Sequence, residues 1–188
     1  IQGIHPLTAY GSLLKGAFGN LSAFTRTLEK ATPLVLGGLA IAFGFKAGLF
    51  NIGAQGQLLF GAIVSAMVGF GVKGLPAFCH IPLALLSGIL AGGVYAAIQG
   101  LLKTHTGAHE VITGIMLNYV AINLTDYLSG GPLKEAASGN IIARTPLIME
   151  TSRIPVLGGI PLGFLLAALG AAVVWWVIKK STFGFEIR

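Results

Sequence analysis

Five apolar stretches organise the chain: Ala31 to Phe45, Leu58 to Val72, Leu83 to Leu102, Val111 to Gly131 and Leu162 to Ile178. A hydrocarbon core about 30 Å thick takes about 20 apolar residues of helix, at about 1.5 Å of rise each. The last three stretches meet that length with ordinary tilt. The first covers only about 22 Å, so Ala47 to Phe50 are expected to complete its crossing. Between the first two stretches lies a break, KAGLFNIGAQGQ at residues 46–57, where glycines and side-chain amides replace hydrophobes. Gly74, Pro76 and Pro82 predict a turn over Lys73 to Pro82. The polar stretch from Pro132 to Pro161, with prolines also at 146 and 155, predicts an exposed irregular loop. In residues 1–30, Leu13, Leu14, Phe18, Leu21, Phe24 and Leu28 stand among Lys15, Asn20, Arg26, Glu29 and Lys30, which suits an amphipathic segment lying at the interface.

The fold class that follows is all-α: a polytopic transmembrane bundle of about five spanning helices, one interrupted by a polar, glycine-rich break. A single membrane domain fills residues 1–188. Its parts are the external amphipathic segment (1–30), four helices (31–131), an external loop (132–161), a fifth helix (162–178) and a polar end (179–188). The chain opens on Ile1 and stops soon after an apolar helix, and the expectation is of truncation at both ends.

Composition agrees with lipid as the main solvent. Hydrophobic residues make up 54% of the chain and charged ones only 10%, against about 25% charged in soluble domains, and the mean hydropathy is +0.83. The net charge is +6, but the basic residues stand singly between apolar runs, without the stripe or stacking aromatics that nucleic acid requires. Anionic lipid headgroups are the expected counter-charge. Cys79 is the sole cysteine and reads as inert. If Lys179, Lys180 and Arg188 are cytoplasmic, so are the segments at 46–57 and 103–110, while 1–30, 73–82 and 132–161 face out. Five Lys and Arg then lie inside and seven outside, so charge does not choose the orientation. Trp175 and Trp176 before Lys179 and Lys180 mark a helix end at an interface.

Small residues recur every four positions at Gly88, Gly92, Ala96 and Gly100, and again at Gly61, Ser65 and Gly69. Such registers let helix backbones approach closely where lipid supplies no hydrophobic drive. At 100° per residue, Tyr119, Asn123 and Asp126 fall within about 60° of one another on the fourth helix, flanked by Asn118 and Thr125. Leu117, Val120, Ala121, Leu124 and Leu128 take the opposite arc. A carboxylate near a helix centre costs about 3 kcal/mol on insertion scales, so the polar arc is expected to be interior, meeting other helices or water and not lipid. Two roles stay open for it: lining a path for a hydroxylated solute, or hydrogen bonding between helices.

The break carries Asn51, Gln55 and Gln57 with Gly48, Gly53 and Gly56, a backbone that lipid penalises unless protein or water covers it. Interrupted helices form solute sites or gates, and a turn whose amides cap two helix ends is the alternative. The sequence contains no GxxxxGK[ST] phosphate loop, so energy for transport would come from a partner or a gradient. His105, His109 and Glu110 lack metal-ligand spacing, and no metal site is expected. No spacing suggests a catalytic nucleophile.

AFGFKAGLFNIGAQGQLLFGA (42–62) and HEVITGIMLNYVAINLTDYL (109–128), with GAFGN (16–20) and STFGFEIR (181–188), resemble the permease subunits of bacterial ABC importers for nucleosides and related simple sugars. These belong with the ribose and branched-chain amino acid permeases. The resemblance implies a transport subunit that is not itself an enzyme and binds no cofactor, since a cytoplasmic ATP-binding-cassette partner holds the ATP. It also implies an extracellular or periplasmic solute-binding lipoprotein, a second permease subunit (a paralogue or a second copy), and residence in the bacterial cytoplasmic membrane. Asn51, Gln55, Gln57, Asn118, Tyr119, Asn123 and Asp126 become candidates for the translocation path. The segment resembling TFGFEIR opens the loop that docks on the ATPase, which makes Phe183, Gly184, Phe185, Glu186 and Arg188 coupling candidates and places that end inside. The competing expectation is a gradient-driven transporter or channel for a small polar solute, whose proton-coupled form would have only Asp126 and Glu110 as relays.

Overall fold

The computed structural model describes residues 5–136 and 143–186. Helices α1 (Pro6–Phe18), α2 (Leu21–Lys46), α3 (Ala54–Gly71), α4 (Ala77–Thr106) and α5 (Glu110–Gly130) come first, and α6 (Leu162–Lys180) and α7 (Thr182–Glu186) follow. Five of them, α2 to α6, are long and apolar enough to cross a membrane. The all-α polytopic architecture is therefore observed. The chain divides into two compact units, residues 1–39 with 154–188, and residues 40–153.

In the first unit the spanning helix begins at Leu21 instead of Ala31. Asn20 caps it, accepting a hydrogen bond from the Ala23 N–H at 2.7 Å. The polar residues behind this start do not oppose a helix, because Thr25, Thr27 and Thr32 return their hydroxyls to the carbonyls of Leu21, Ala23 and Leu28 at 2.8–3.0 Å. Residues 47–50 are consequently not needed for the crossing. Within the stretch expected to be irregular, Val156–Leu157 (β1) pairs antiparallel with Ile160–Pro161 (β2). Gly158 and Gly159 make the two-residue turn, with φ of 57° and 88°, the conformation that two-residue hairpins demand and that glycine adopts without strain. Thr25 donates to the Gly159 carbonyl at 2.6 Å, tying the hairpin to α2.

In the second unit α3 packs on α4 through the small-residue registers. A Cβ on Gly61 would stand 2.8 Å from the Gly88 carbonyl oxygen, and one on Gly92 would stand 3.1 Å from that of Gln57. The predicted turn is shorter than expected: α4 starts at Ala77 and includes Pro82, because a proline so near a helix start removes a single backbone bond. At this end His80 is fully buried. Its Nε2 lies 3.1 Å from the Val68 carbonyl, which can only accept, so Nε2 carries the proton and Nδ1 accepts from the Thr151 hydroxyl at 2.9 Å. Ser152 and the Met149 N–H both donate to the Gly69 carbonyl at 3.1 and 3.0 Å. A short 3₁₀ turn, Glu150–Ser152, is thereby fastened onto α3 and α4.

Candidate functional site

The break occupies residues 47–53, so Gln55 and Gln57 belong to the first turn of α3. It begins as a helix stop. Gly48 has φ +69°, its N–H bonds the Phe45 carbonyl and that of Leu49 bonds the Gly44 carbonyl, the pair of bonds with which a left-handed glycine closes a helix end. Beyond Leu49 the backbone has few partners of its own, and α5 supplies them. The Glu110 carboxylate accepts the Phe50 N–H at 2.9 Å. The Asn118 amide donates to the Ile52 carbonyl at 2.9 Å and accepts the Gly56 N–H at 2.7 Å.

That last bond replaces a missing cap. Gly53 precedes α3 and has no side chain with which to cap it, while Gly56 is the third residue of the helix, whose N–H an N-cap oxygen normally takes. Asn118 does this from another helix. Between Glu110 and Asn118 lies Gly114, where a Cβ would stand 2.9 Å from the Gly53 nitrogen and 3.0 Å from Nε2 of Gln99. Glu110, Gly114 and Asn118 recur every fourth residue, so one stripe of α5 serves the break from end to end.

Helix α4 braces α5 with a matching stripe at the same interval. The Tyr95 hydroxyl donates to the Leu117 carbonyl at 2.7 Å, Gln99 donates to that of Glu110 at 3.1 Å, and Lys103 forms an ion pair with the Glu110 carboxylate. Tyr95 also stacks on Phe60 of α3 at 5.0 Å. Tyr95, Gln99 and Lys103 were missed as site residues in the sequence, although their four-residue spacing inside an apolar helix was a usable signal. Asn51 and Gln57 pair amide to amide, each donating to the other at 3.1 Å. Gln55 is exposed and makes no side-chain hydrogen bond among the described residues.

Helix α5 packs on α3 and α4 mainly through the arc opposite Tyr119, Asn123 and Asp126. Its packed face contains Gly114 and the fully buried Ala121, with Asn118 and Thr125 beside them, and Ala121 had been assigned to the opposite arc. Tyr119, 61% exposed, points away from α3 and α4 with Asn123 and Asp126, which are also exposed. The reason is steric: α3 and α4 approach along small residues, and Gly114 and Ala121 admit them where Tyr119 would not. The seven path candidates thus separate into Asn51, Gln57 and Asn118 at the break and four exposed residues.

A cavity of about 260 Å³ opens beside the break. Phe43, Leu49 and Phe50 line it with the amides of Asn51, Gln57 and Gln99. Lys103 and Glu110 reach it as an ion pair, so the lining carries no uncompensated charge. Such a site suits a neutral solute.

At the other end of the chain α6 turns sharply into α7. Ser181 accepts the Gly184 N–H at 3.0 Å, and a Cβ on Gly184 would run into the Val177 carbonyl oxygen and lie 2.7 Å from that of Ile178. Gly184 is therefore buried by necessity, while Phe185 is 82% exposed. Phe183 and Glu186 fall on the backbone of α7. Arg188 lies outside the described residues.

The profile of the family described as "Branched-chain amino acid transport system / permease component" matches residues 23–188. A guanosine ABC transporter permease protein of Bacillus subtilis is 38% identical over 100% of this chain and 55% of its own length. A glucose ABC transporter permease protein of Haloferax volcanii is 34% identical over 98% of the chain and 51% of its own length. A nucleoside ABC transporter permease protein of Lactococcus lactis is 30% identical over 99% of the chain and 54% of its own length. The chain spans about half the length of the curated relatives it matches. No solved structure matches it significantly. Five spanning helices, a break built into their packing and this profile together establish that the chain belongs to the branched-chain amino acid transport system permease family, as a multi-pass membrane protein.

Proposed function

We propose that this chain is the transmembrane core of a permease subunit of an ATP-binding-cassette importer in the bacterial cytoplasmic membrane. It moves a nucleoside or related sugar-like solute by alternating access, with energy from a separate ATPase subunit. A solute-binding lipoprotein delivers the solute outside, and a second permease subunit, a paralogue or another copy, completes the path. The observation that carries this reading is similarity along the whole chain to permease proteins whose names specify guanosine, glucose and nucleosides. The neutral, amide-lined cavity beside the break supports it. A proton-driven mechanism finds little support, because Glu110 is neutralised by Lys103 and Asp126 is exposed.

Coupling to the ATPase is assigned to the turn after α6, where Gly184 fixes the fold and Phe185 projects outward. The test is reconstitution of the full-length permease with its ATPase and binding protein in liposomes. Solute should stimulate ATP hydrolysis and ATP should drive uptake. Uptake abolished by an ionophore, with hydrolysis indifferent to solute, would overturn the proposal. Phe185→Ala should leave solute capture by the binding protein intact and lower the stimulation several-fold, whereas unchanged stimulation removes α7 from the coupling role.

A further inference from the structure

We propose that the cavity beside the break receives the heteroaromatic ring of a nucleoside, with the Asn51–Gln57 amide pair reading the ring's hydrogen-bonding edge. This rests on the permease reading above and narrows its solute class. A hexose carries hydroxyl groups around its whole rim, and each that faces an apolar wall loses its hydration uncompensated. Phe43, Leu49, Phe50, Ala40 and Ala96 supply apolar walls, and the polar groups are three amides and a self-neutralised ion pair. A nucleobase has the complementary character: two apolar faces that stack on aromatic side chains, and a rim of adjacent donors and acceptors.

The amide pair is suited to that rim. Asn51 and Gln57 each spend one N–H and one carbonyl lone pair on the other, which leaves one of each per amide. In such a reciprocal pair the free N–H of one amide lies beside the free carbonyl lone pair of the other, so the pair as a unit, along its outer edge, presents an adjacent donor and acceptor to a base. Mutual bonding holds both side chains in place before the solute arrives, so little rotamer freedom remains to be lost on binding. Gln99 contributes less directly, since its amide nitrogen is committed to the Glu110 carbonyl at 3.1 Å. The volume of about 260 Å³ falls just below the range of about 300–1,000 Å³ for sites enclosing whole drug-sized ligands. It therefore accommodates the ring and leaves the ribose towards the opening.

The experiment uses the full-length permease assembled with its ATPase in lipid nanodiscs, irradiated with 8-azidoguanosine and mapped by mass spectrometry. The expected result is label within residues 40–57 or 96–103 that excess guanosine suppresses and excess glucose does not. Gln57→Leu and Phe43→Leu should each cut this labelling about tenfold, the equivalent of one good hydrogen bond or stacked face. Label mapping instead to the Tyr119 and Asn123 face, or equal protection by glucose, overturns the assignment even if nucleoside uptake is normal. ATP-driven uptake of a sugar but not of a nucleoside defeats this inference alone, whereas absence of ATP-driven uptake of either defeats the proposed function with it, so the two failures are distinguishable. Because the label position is read on the wild-type protein, instability of either variant does not obscure the outcome.

Discussion

Helix α5 carries two sets of polar residues on nearly opposite sides. On one side Glu110, Gly114 and Asn118 meet the break, where one Glu110 carboxylate oxygen and both the oxygen and the nitrogen of the Asn118 amide bond to backbone groups. On the other, Tyr119, Asn123 and Asp126 are exposed, and among the described residues the Asn123 amide bonds only to the carbonyl of Tyr119 on its own helix, at 2.8 Å. Asn118 and Asn123 are chemically identical and five residues apart, yet one holds an irregular segment in shape and the other holds nothing beyond its own turn. What separates them is whether the backbone opposite has unmet hydrogen bonds. The break leaves such groups, and a membrane penalises them.

The comparison can be broken most decisively at Asn118. Asn118→Leu orphans the Ile52 carbonyl and the Gly56 N–H, and at about 1–3 kcal/mol per unsatisfied group it should lower the melting temperature of the purified permease sharply. Gly114→Ala comes next. Its methyl group would press on the Gly53 nitrogen at 2.9 Å, an overpacking cost of about 1–3 kcal/mol, and the same melting assay should show a loss that Gly93→Ala, with open space around it, does not. Glu110→Gln retains an acceptor for the Phe50 N–H but removes the ion pair. Because Lys103 is 41% exposed, the pair is screened and the loss should be small, and wild-type stability should drift towards the variant's as salt is raised. The smallest stability effect belongs to Asn123→Leu, within about 0.5 kcal/mol. If that face lines the path its uptake should nevertheless fall; normal uptake would make it a surface for packing or lipid. A melting loss at Asn123 equal to that at Asn118 would erase the distinction between the two faces.

The corrections follow one pattern. Counting apolar residues located the spanning helices but placed the start of α2 ten residues late, at Ala31 instead of Leu21. A hydropathy count scores threonine as polar, whereas Thr25, Thr27 and Thr32 return their hydroxyls to the helix backbone. The hairpin at 156–161 was hidden in a proline-rich stretch, although Gly158 and Gly159 between short apolar pairs carry the signal of a two-residue turn. On α5 the polar arc was recognised correctly as an arc. The arc that meets α3 and α4 is the other one, set by the space that Gly114 and Ala121 leave for close approach.

The sequence by itself determined the class: apolar runs of spanning length, small residues at four-residue intervals, and a glycine and amide break between α2 and α3. These properties are local, following from helix rise, side-chain volume and the insolubility of bare backbone in lipid. Only the tertiary structure decided which amides serve the break, that a helix sixty residues downstream caps α3, and that Tyr95, Gln99 and Lys103 brace it. A hydrogen bond depends on two groups meeting at about 3 Å in the right direction, and no spacing along one helix reveals what stands opposite it on another.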